Sequence, residues 1–509
     1  MTNTTVLNKA ADNIRILAAS MVEKAKSGHP GGAMGGADFV NTLFAEFLVY
    51  DPSDPKWINR DRFFLDPGHM SPMLYSVLAL TGKFTLDELK QFRQWGSPTP
   101  GHPEVDVMRG IENTSGPLGQ GHAMAVGAAI AERFLVARFG DWMAHKTYAF
   151  ISDGGIQEEI SQGAGRIAGY LGLNNLIMFY DSNDIQLSTD TDAVTKEDTA
   201  AKYRAWGWNV LEINGNDADA IRGALIEAGQ EQSRPTLIIG KTIMGKGVVT
   251  EEGQSYEGKC STHGQPLSAA GASFAKTIAH LGGNPDEPFA IFPEVEKLYA
   301  DRKAELLKVA ADRKAKQAAW EKENPELAVK LHQFFSGKAP EIDYKAIAQK
   351  PGIATRAASA NVLAVFAEQI ENMIVSSADL ANSDKTDGFL KKTHAFKSGD
   401  FTGAFLQAGV SELTRAAIMN GMMLHGGVIG ACGTFFVFSD YMKPAARMAA
   451  LMEVPVKYIW THDAFRVGED GPTHQPVEQE AQIRLLEQLK NHHGKNSMLV
   501  LRPADGPET

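Results

Sequence analysis

Two apolar runs that end in polar, ion-binding residues constrain the fold of this chain more than any other feature. Tyr148–Ile151 is followed by Ser-Asp-Gly-Gly, and Leu176–Tyr180 is followed by Asp-Ser-Asn. Both runs have the length and composition of buried strands. About thirty residues separate Asp153 from Asn183, which is room for one crossover helix between parallel strands. We therefore predict an open parallel sheet that brings these two side chains together at its carboxyl edge, where such sheets bind ligands.

The residue types at this edge suggest its chemistry. The Asp153 carboxylate and the Asn183 carbonyl are hard oxygen donors that suit Mg²⁺ or Ca²⁺, and such ions bridge to phosphate oxygens. Gly154 has no side chain, so the backbone can pass close to a phosphate. Two ordinary strand-end turns would leave the same pattern, and the remaining motifs must decide between the two interpretations.

Composition excludes several classes of protein. A chain of 509 residues is too long for one core and implies two or three domains. The formal net charge of −11 argues against a nucleic-acid partner, and no apolar run is long enough to span a bilayer. The N-terminus has no signal pattern, and Cys260 and Cys432 have no metal or redox spacing. We predict a cytoplasmic protein with neither a nucleic-acid nor a membrane partner.

A charged stretch, residues 301–348, divides the chain. It carries few apolar residues and predicts surface helices that end at Ser336–Pro340, and a second strand-and-helix pattern begins after Pro351-Gly352. We therefore expect a first domain over residues 1–330, a linker over 331–352 and a second domain over 353–509. The other elements predicted are helices at Asn8–Lys26 (capped by Gly28 and stopped by Pro30) and Ala123–Arg138, and strands at Asp61–Leu65, Met373–Ser376, Phe435–Phe438, Val456–Trp460 and Met498–Leu501.

Three histidines share an unusual setting. His29, His69 and His102 each lie beside glycine or proline at a predicted turn. A lone histidine in a loop is usually solvated surface, but unrelated surface histidines would not share this setting. None has a cysteine or a second histidine at zinc-binding spacing. Imidazoles that donate to sugar hydroxyls or phosphate fit the pattern better.

A glycine-rich loop, Gly116-Pro-Leu-Gly-Gln-Gly121, leads into the predicted helix at Ala123. Glycines before a helix N-terminus offer backbone N–H groups to an anion. The loop is not a Walker motif, and it lacks the glycine fingerprint of nicotinamide-binding enzymes. A close helix–sheet packing turn is the alternative interpretation.

Five motifs, in this order, resemble transketolase: Ser27-Gly-His-Pro-Gly31, Thr99-Pro-Gly-His-Pro-Glu104, Gly116-Pro-Leu-Gly-Gln-Gly121, Ser377-Ala-Asp-Leu380 and Gly468-Glu-Asp-Gly-Pro-Thr-His-Gln-Pro476. The resemblance covers essentially the whole chain. It implies an α/β fold of two doubly wound, mostly parallel-sheet domains, which bind the diphosphate and the aminopyrimidine of thiamine diphosphate. It also implies a homodimer with active sites at the interface.

The implied reaction transfers a two-carbon ketol group from a ketose phosphate to an aldose phosphate, with sugar phosphates of the pentose phosphate pathway as the usual substrates. Cleavage of a bond beside a carbonyl leaves a carbanion, for which the thiazolium ring is the electron sink. Glu412 matches the glutamate that hydrogen-bonds the pyrimidine N1′ in this family, although Ser411 and Leu413 depart from the usual text around it.

The resemblance also implies the other site residues. The metal ligands would be Asp153, Asn183 and the Ile185 carbonyl. The cofactor-binding residues would be His69, Gly116, Leu118, Asp153, Gly154, Glu158, Asn183, Glu412, Phe435, Phe438 and Tyr441. The substrate-binding residues would be His29, His102, His263, Arg356, Ser383, His462, Asp470 and His474, of which His29, His263 and His474 would join Glu412 in catalysis.

Departures from the family leave alternatives open. Residues 384–404 do not match the sequence that is usual in the family. The chain reaches Thr509 soon after Arg502-Pro503, which is partway through the second domain as the family builds it. We expect a fragment, or part of a longer product, with an incomplete second domain and no third domain. One alternative is a cofactor-binding subunit that is silent or partner-dependent. Another is a related thiamine enzyme that makes a deoxy sugar phosphate or uses formaldehyde as acceptor.

Overall fold

The computed structural model describes residues 2–463 and 468–509, and these divide into two compact units. The first unit comprises Met1–His122, His145–Gly165 and Asn174–Lys316. The second comprises Ala123–Ala144, Arg166–Leu173 and Gln317–Thr509. Within the described ranges, no helix combines the length and the apolar character needed to cross a membrane.

Each unit contains a parallel sheet. The strands are β1 Arg62–Leu65, β2 Thr147–Ser152, β3 Leu176–Ser182, β4 Asn209–Asn214, β5 Thr236–Lys241, β6 Met373–Ser377, β7 Phe405–Gln407, β8 Ile429–Phe435 and β9 Lys457–Thr461. The order is β1-β2-β3-β5-β4 in the first unit and β7-β6-β8-β9 in the second. The α/β class and the parallel sheets predicted from the sequence are thereby confirmed.

Helices connect the strands. They are α1 Thr4–Ala25, α2 Pro30–Gly35, α3 Ala37–Thr42, α4 Ser71–Leu80, α5 Leu86–Leu89, α6 Gln120–Phe139, α7 Asp153–Gln157, α8 Glu159–Leu171, α9 Thr199–Ala205, α10 Ala218–Gln230, α11 Ser261–Gly264, α12 Leu267–Ala270, α13 Phe274–His280, α14 Pro293–Glu323, α15 Pro325–Phe335, α16 Thr355–Gln369, α17 Ala381–Asp384, α18 Asp387–Leu390, α19 Glu412–His425, α20 Ser439–Met452 and α21 Gln479–Gln488. Short 3₁₀ turns lie at Gly68–Met70, Val107–Arg109, Asp141–Met143, Thr191–Ala193, Tyr344–Ala346, Phe436–Phe438 and Pro472–His474, and a π-helical turn lies at Leu43–Phe47.

Aromatic packing fixes the sheet of the first unit. Every residue of β1, β2 and β3 is buried. Phe39 of α3 stacks on Phe179 of β3 with ring centroids 4.0 Å apart, and Phe150 of β2 lies 5.4 Å from Phe179. Burial of each such ring stabilises the fold by about 1.5–3 kcal/mol. Because β2 and β3 pair in parallel with Ser152 opposite Asp181, they also end together, which sets the position of the polar residues that follow them.

Two glycines let helices of the second unit pack in backbone contact. A Cβ at Gly127 of α6 would collide with the Ile418 carbonyl, and a Cβ at Gly421 of α19 would collide with the Met124 carbonyl. Only glycine allows so close an approach. Because α19 begins at Glu412, this crossing also fixes the position of that carboxyl group within the second unit.

Two of the predicted strands are wrong. Phe435–Phe438 is not a strand, because β8 ends at Phe435 and a 3₁₀ turn follows. Met498–Leu501 is not a strand either: Leu499 and Leu501 are exposed, and the Val500 amide donates to Glu487 Oε1 rather than to a neighbouring strand. Apolar runs this short do not by themselves distinguish a strand from other structure.

The end of the first helix differs too. Lys26, at φ 55°, is the left-handed cap of α1, so Gly28 does not cap it. Pro30 does not end α1 either, because the helix has already ended at Ala25; Pro30 is the first residue of α2, where its missing N–H costs nothing. In the charged stretch, α15 continues to Phe335, beyond the start of the predicted linker. The domain limits 1–330, 331–352 and 353–509 stay predictions.

Candidate active site

Asp153 and Asn183 lie side by side at the carboxyl edge of the first sheet. Asp153 begins α7 directly after β2, and Asn183 follows β3. The amides of Asn183 and Asp184 donate to Asp153 Oδ2 at 3.1 and 3.0 Å, and the Tyr180 hydroxyl donates to Asp153 Oδ1 at 2.6 Å. The carboxylate, which follows β2, therefore accepts three hydrogen bonds from the carboxyl end of β3.

Asp181, which sequence reasoning did not single out, orients the Asn183 amide. Asn183 Nδ2 donates to Asp181 Oδ2 at 3.0 Å, while Asn183 Oδ1 accepts from the Ile185 amide at 3.0 Å. The Thr242 hydroxyl donates to the other Asp181 oxygen. Asp181 is the last residue but one of a buried strand, and burial of a carboxyl at a strand end was the signal that could have identified it.

The electrostatics of this edge suit a cation. Burial raises the pKa of Asp153 to about 6 and the pKa of Asp181 to about 7. A divalent cation would favour the ionised forms and offset that burial. In the described part of the chain no three His, Cys, Asp or Glu side chains form a metal-binding group. A metal here would depend on the mixed carboxylate, amide and carbonyl oxygens that Mg²⁺ and Ca²⁺ accept.

A cavity of about 540 Å³ opens above this edge. Leu118 and Gly154 meet in its wall, since a Cβ added at Gly154 would lie 3.1 Å from Leu118 Cδ1. Eleven of the residues predicted for the first domain line it: His29, His69, His102, Gly116, Leu118, Asp153, Gly154, Glu158, Asn183, Ile185 and His263. Gln186, Leu187 and Ser188 also line the cavity and were not predicted.

Asp66 secures the glycine-rich loop. This fully buried carboxyl accepts from the Gly119 amide at 3.0 Å and from the His122 amide at 3.2 Å, and burial raises its pKa to about 6. A Cβ at Gly155 would collide with its Oδ2. Asp66 is not among the predicted site residues, yet it follows a buried strand just as Asp153 does.

His122 gives a pH prediction. It is fully buried, neither ring nitrogen has a hydrogen-bond partner among the described residues, and burial lowers its pKa to about 3. In the unfolded chain its pKa is about 6.5, so the unfolded state binds the extra proton first and stability is lost as pH falls. We expect His122→Met to reduce the pH dependence of the unfolding free energy by about 1.4 kcal/mol per pH unit between pH 6 and 4.

Urea unfolding at several pH values measures this slope. His492→Met is the matched control, because His492 is exposed. An acid slope that is equal in His122→Met and the wild-type chain would contradict the assignment.

The first-unit histidines form one cluster in the cavity. The ring centroid of His29 lies 5.2 Å from His69, 6.4 Å from His102 and 5.8 Å from His263, and His69 lies 5.3 Å from His263. Burial is the main cause that lowers the pKa of all four, to about 4 for His29. The rings are therefore neutral at pH 7, so each has one donor and one acceptor nitrogen.

The second unit holds a separate polar group. The His462 ring stacks on Phe435 with centroids 3.7 Å apart. Arg356 Nη1 lies 2.6 Å from His462 Nε2 and also donates to the Ser383 carbonyl at 3.3 Å. Burial and Arg356 lower the pKa of His462, against the opposing charge of Asp470. Three predicted substrate residues, Arg356, Ser383 and His462, thus adjoin Phe435, which is a predicted cofactor residue.

Aromatic rings extend from Phe435. The Phe438 ring lies 5.9 Å away and nearly parallel, at 12°. Tyr441 and His474 lie 6.1 and 5.4 Å from Phe438, and Tyr441 is exposed. All of these predicted residues therefore belong to one surface of the second unit.

Glu412 is the first residue of α19 and is half-buried. One turn later lies Arg415, which is fully buried and donates through Nη1 to the Ser376 carbonyl at 3.4 Å. Burial lowers the pKa of Arg415, while the nearby Glu412 charge acts in the opposite direction. The assignment of Glu412 to a pyrimidine nitrogen stays a prediction.

Comparison with known proteins gives the family. Residues 6–340 match the model described as "Transketolase, thiamine diphosphate binding domain", and residues 351–509 match "Transketolase, pyrimidine binding domain". The transketolase of Geobacillus stearothermophilus is 42% identical over 98% of this chain and 74% of that protein. Chloroplastic transketolase-1 of Arabidopsis thaliana is 42% identical over 100% of this chain and 68% of that protein.

Solved structures agree. A transketolase from Leishmania mexicana has a TM-score of 0.89 at 36% identity and covers 96% of this chain and 72% of that chain. A Pichia stipitis transketolase in complex with sedoheptulose 7-phosphate has a TM-score of 0.88 at 38% identity and covers 94% and 72%. Both the sequence matches and the shared fold extend over the two sheets described above. The chain belongs to the transketolase family, whose two matched domains bind thiamine diphosphate and its pyrimidine.

Proposed function

We propose that this chain is a thiamine-diphosphate-dependent transketolase, which transfers a two-carbon ketol group reversibly from a ketose phosphate to an aldose phosphate. The observation that carries the proposal is the contact between Asp153 and Asn183 on the floor of a cavity walled by four neutral histidines. Sugar phosphates are the proposed substrates, because similar Pichia stipitis transketolases are complexed with sedoheptulose 7-phosphate, xylulose 5-phosphate and fructose 6-phosphate. Transferase activity and a place in the pentose phosphate pathway follow from this proposal.

The metal and the diphosphate belong to the first unit in this proposal. Asp153, Asn183 and the Ile185 carbonyl hold Mg²⁺ or Ca²⁺, consistent with their oxygen donors and with the buried carboxyls beside them. Gly116 and Gly154 leave room for the diphosphate, and Leu118 packs under the cofactor. His69 and Glu158 also line this part of the cavity. When bound, thiamine diphosphate supplies the electron sink for carbon–carbon cleavage.

The second unit provides the pyrimidine contacts. The Glu412 carboxyl holds a proton at the pyrimidine N1′, and Phe435 stacks on the ring. Phe438 and Tyr441 continue the aromatic surface, consistent with their spacing from Phe435. A dry environment around the carboxyl would support proton sharing with a ring nitrogen.

Histidines handle the protons of the substrate. His29 and His263 accept or donate protons at the carbonyl and hydroxyl oxygens of the sugar, and His474 does so from the second unit. His102 and Asp470 recognise hydroxyl groups. Burial keeps the pKa of His29 and His263 low, which supports their acting as neutral groups at pH 7.

In this proposal, three residues of the second unit bind the substrate phosphate: Arg356, Ser383 and His462. We expect Arg356→Ala to raise KM for phosphorylated donors by about tenfold or more, while KM for an unphosphorylated donor such as hydroxypyruvate changes less than threefold. The reason is that a charge-assisted contact is lost only with the phosphate. Steady-state kinetics with both donors measure the difference.

Arg204→Ala is the matched control, because Arg204 is half exposed, pairs with Glu212 and is not among the residues proposed to bind the phosphate. An equal rise of KM for both donors in Arg356→Ala would show that the arginine has a structural role instead.

We further propose that the chain works as a homodimer, in which the first unit of one copy and the second unit of the other form each active site. A cytoplasmic location is proposed on the basis of its two free cysteines, Cys260 and Cys432. Neither a nucleic acid nor a membrane is a proposed partner.

Isotope transfer tests the proposed function. A ketose phosphate labelled with ¹³C at C1 and C2 is mixed with an unlabelled aldose phosphate, thiamine diphosphate and Mg²⁺. We expect both labels to appear together in the ketose phosphate that is two carbons longer than the acceptor. Labels that remain in the donor, or that separate, would refute two-carbon transfer by this chain.

A further inference from the structure

Arg93 has a strained backbone at the edge of the histidine cluster. Its φ is +61°, in the left-handed region that non-glycine residues seldom adopt. The conformation is held by its own amide, which donates to the Thr99 carbonyl at 3.0 Å. Strained residues of this kind persist only where the surrounding structure determines them, and they concentrate at functional sites.

The guanidinium of Arg93 connects two of the turns that carry histidines. Nη1 donates to Ser27 Oγ at 2.7 Å, two residues before His29. The plane of the group packs on Gly101, directly before His102: a Cβ there would lie 2.7 Å from Arg93 Nε and 2.9 Å from Cζ. Glycine at position 101 is therefore what admits the arginine between the two turns.

Arg93 also acts on both rings through its charge. Burial is the largest cause that lowers the pKa of His29, followed by the charges of His263, Arg93 and His102. For His102, burial and then Arg93 lower the pKa. Among the described residues, the titratable or charged groups that face His29 are thus Arg93 and the imidazoles of the cluster, including His69.

Arg93 lies next to these two histidines but does not itself line the cavity. His29 and His102 both line the cavity, whereas Arg93 is not part of the described cavity wall. Its Nε is buried without a partner, because Gly101 covers it. Arg93 therefore does not line the cavity itself, and the groups it affects that do line it are His29 and His102.

We propose that Arg93 is a positioning residue for the transfer reaction: it ties the turn of His29 to the turn of His102 and keeps both rings directed into the cavity as neutral donors and acceptors. The inference rests on the proposed function, since it assigns a role in handling the sugar. Arg93 would contribute to the reaction in two separable ways. Its positive charge lowers the pKa of the two histidines, and its hydrogen bond to Ser27 holds the His29 turn in place, so the second contribution depends on Ser27 as well.

The experiment uses the full chain loaded with thiamine diphosphate and Mg²⁺. In Arg93→Met, we expect kcat/KM for ketol transfer to fall about tenfold or more, and the pKa values of His29 and His102, measured by NMR of ¹³C-labelled histidine, to rise by about 0.5–1 unit. The acid limb of the kcat/KM profile should move to higher pH with them. Arg93→Lys keeps the charge, so it should leave both pKa values near those of the wild-type chain and restore part of kcat/KM.

Ser27→Ala removes the hydrogen bond to Arg93 but keeps the charge of the arginine. We therefore expect kcat/KM to fall while the pKa values of His29 and His102 stay unchanged. Arg204→Met removes the same charge elsewhere in the first unit and should change neither quantity. Unmoved pKa values in Arg93→Met, or kcat/KM within twofold of the wild-type value, would overturn the proposal. If Arg93→Met fails to fold, Ser27→Ala decides in its place, and unchanged kcat/KM there is the overturning result.

The pKa measurement needs no turnover. A wild-type chain that shows no ketol transfer would therefore refute the proposed function, while the imidazole titration still reports whether Arg93 controls His29 and His102. The two failures are distinguishable on the same samples.

Discussion

Asp153→Ala should weaken the Mg²⁺-dependent binding of thiamine diphosphate by about a hundredfold, or about 2.7 kcal/mol. The variant removes a metal ligand and also strands three donors that now converge on one carboxylate: the Tyr180 hydroxyl and the amides of Asn183 and Asp184. An Ala side chain offers none of the oxygen atoms that a hard cation needs. Calorimetric titration of the cofactor, with and without Mg²⁺, measures the loss.

A second variant and a neighbouring control make this test decisive. Asp153→Asn has nearly the same shape but no charge, so it should fold and still bind the cofactor weakly. Asp184→Ala removes a carboxylate one residue beyond Asn183, but that side chain is exposed and pairs with Lys241. We expect its cofactor affinity to stay within threefold of the wild-type value. Affinity that is indifferent to both Asp153 variants would refute the ligand assignment.

Glu412→Gln should lower kcat by about a hundredfold to ten-thousandfold while cofactor affinity changes only a few-fold. Glutamine keeps the size of the side chain, but it cannot hold an exchangeable carboxyl proton at the pyrimidine nitrogen. The diagnostic measurement is the rate at which the thiazolium C2 proton of the bound cofactor exchanges with deuterium. That rate should fall with kcat, because both depend on the same proton transfer.

Glu368→Gln is the matched control for this variant. Glu368 belongs to the same unit, is half exposed and pairs with Lys392, so the same change there should leave the exchange rate unaltered. Exchange at the wild-type rate in Glu412→Gln would remove the carboxyl from the mechanism.

Strand ends were the part of the fold most accessible from sequence. The apolar runs before Asp153 and Asn183 are buried strands, and their spacing predicts parallel neighbours with a shared edge, although two helices, α7 and α8, connect them rather than the one expected. The turns that bear His29 and His102 could be located because proline and glycine limit the backbone around them. In each case the signal lies in neighbouring residues of the sequence, so it does not depend on contacts between distant parts of the chain.

Partners distant in sequence could not be predicted in the same way. Asp66 accepts hydrogen bonds from amides more than fifty residues later in the chain. Asp181 accepts a hydrogen bond from Asn183 at the end of β3, a strand that is buried along its whole length. The strand predicted at Met498–Leu501 is wrong because pairing depends on a neighbouring strand, which an apolar run cannot specify. The roles of Arg356 and Glu412 came from resemblance, since nothing in their local sequence demands a ligand.

Mixing the Asp153→Ala and Glu412→Gln variants tests whether two copies of the chain build each active site. If Asp153 and Glu412 of different copies work together, then exchange of subunits between Asp153→Ala and Glu412→Gln dimers creates one intact site in each mixed dimer. Ketol transfer should then return to about a quarter of the wild-type rate, because half of the dimers are mixed and each has one working site of two. A mixture that exchanges subunits but is no more active than its separate components would show that Asp153 and Glu412 of different copies do not share a site.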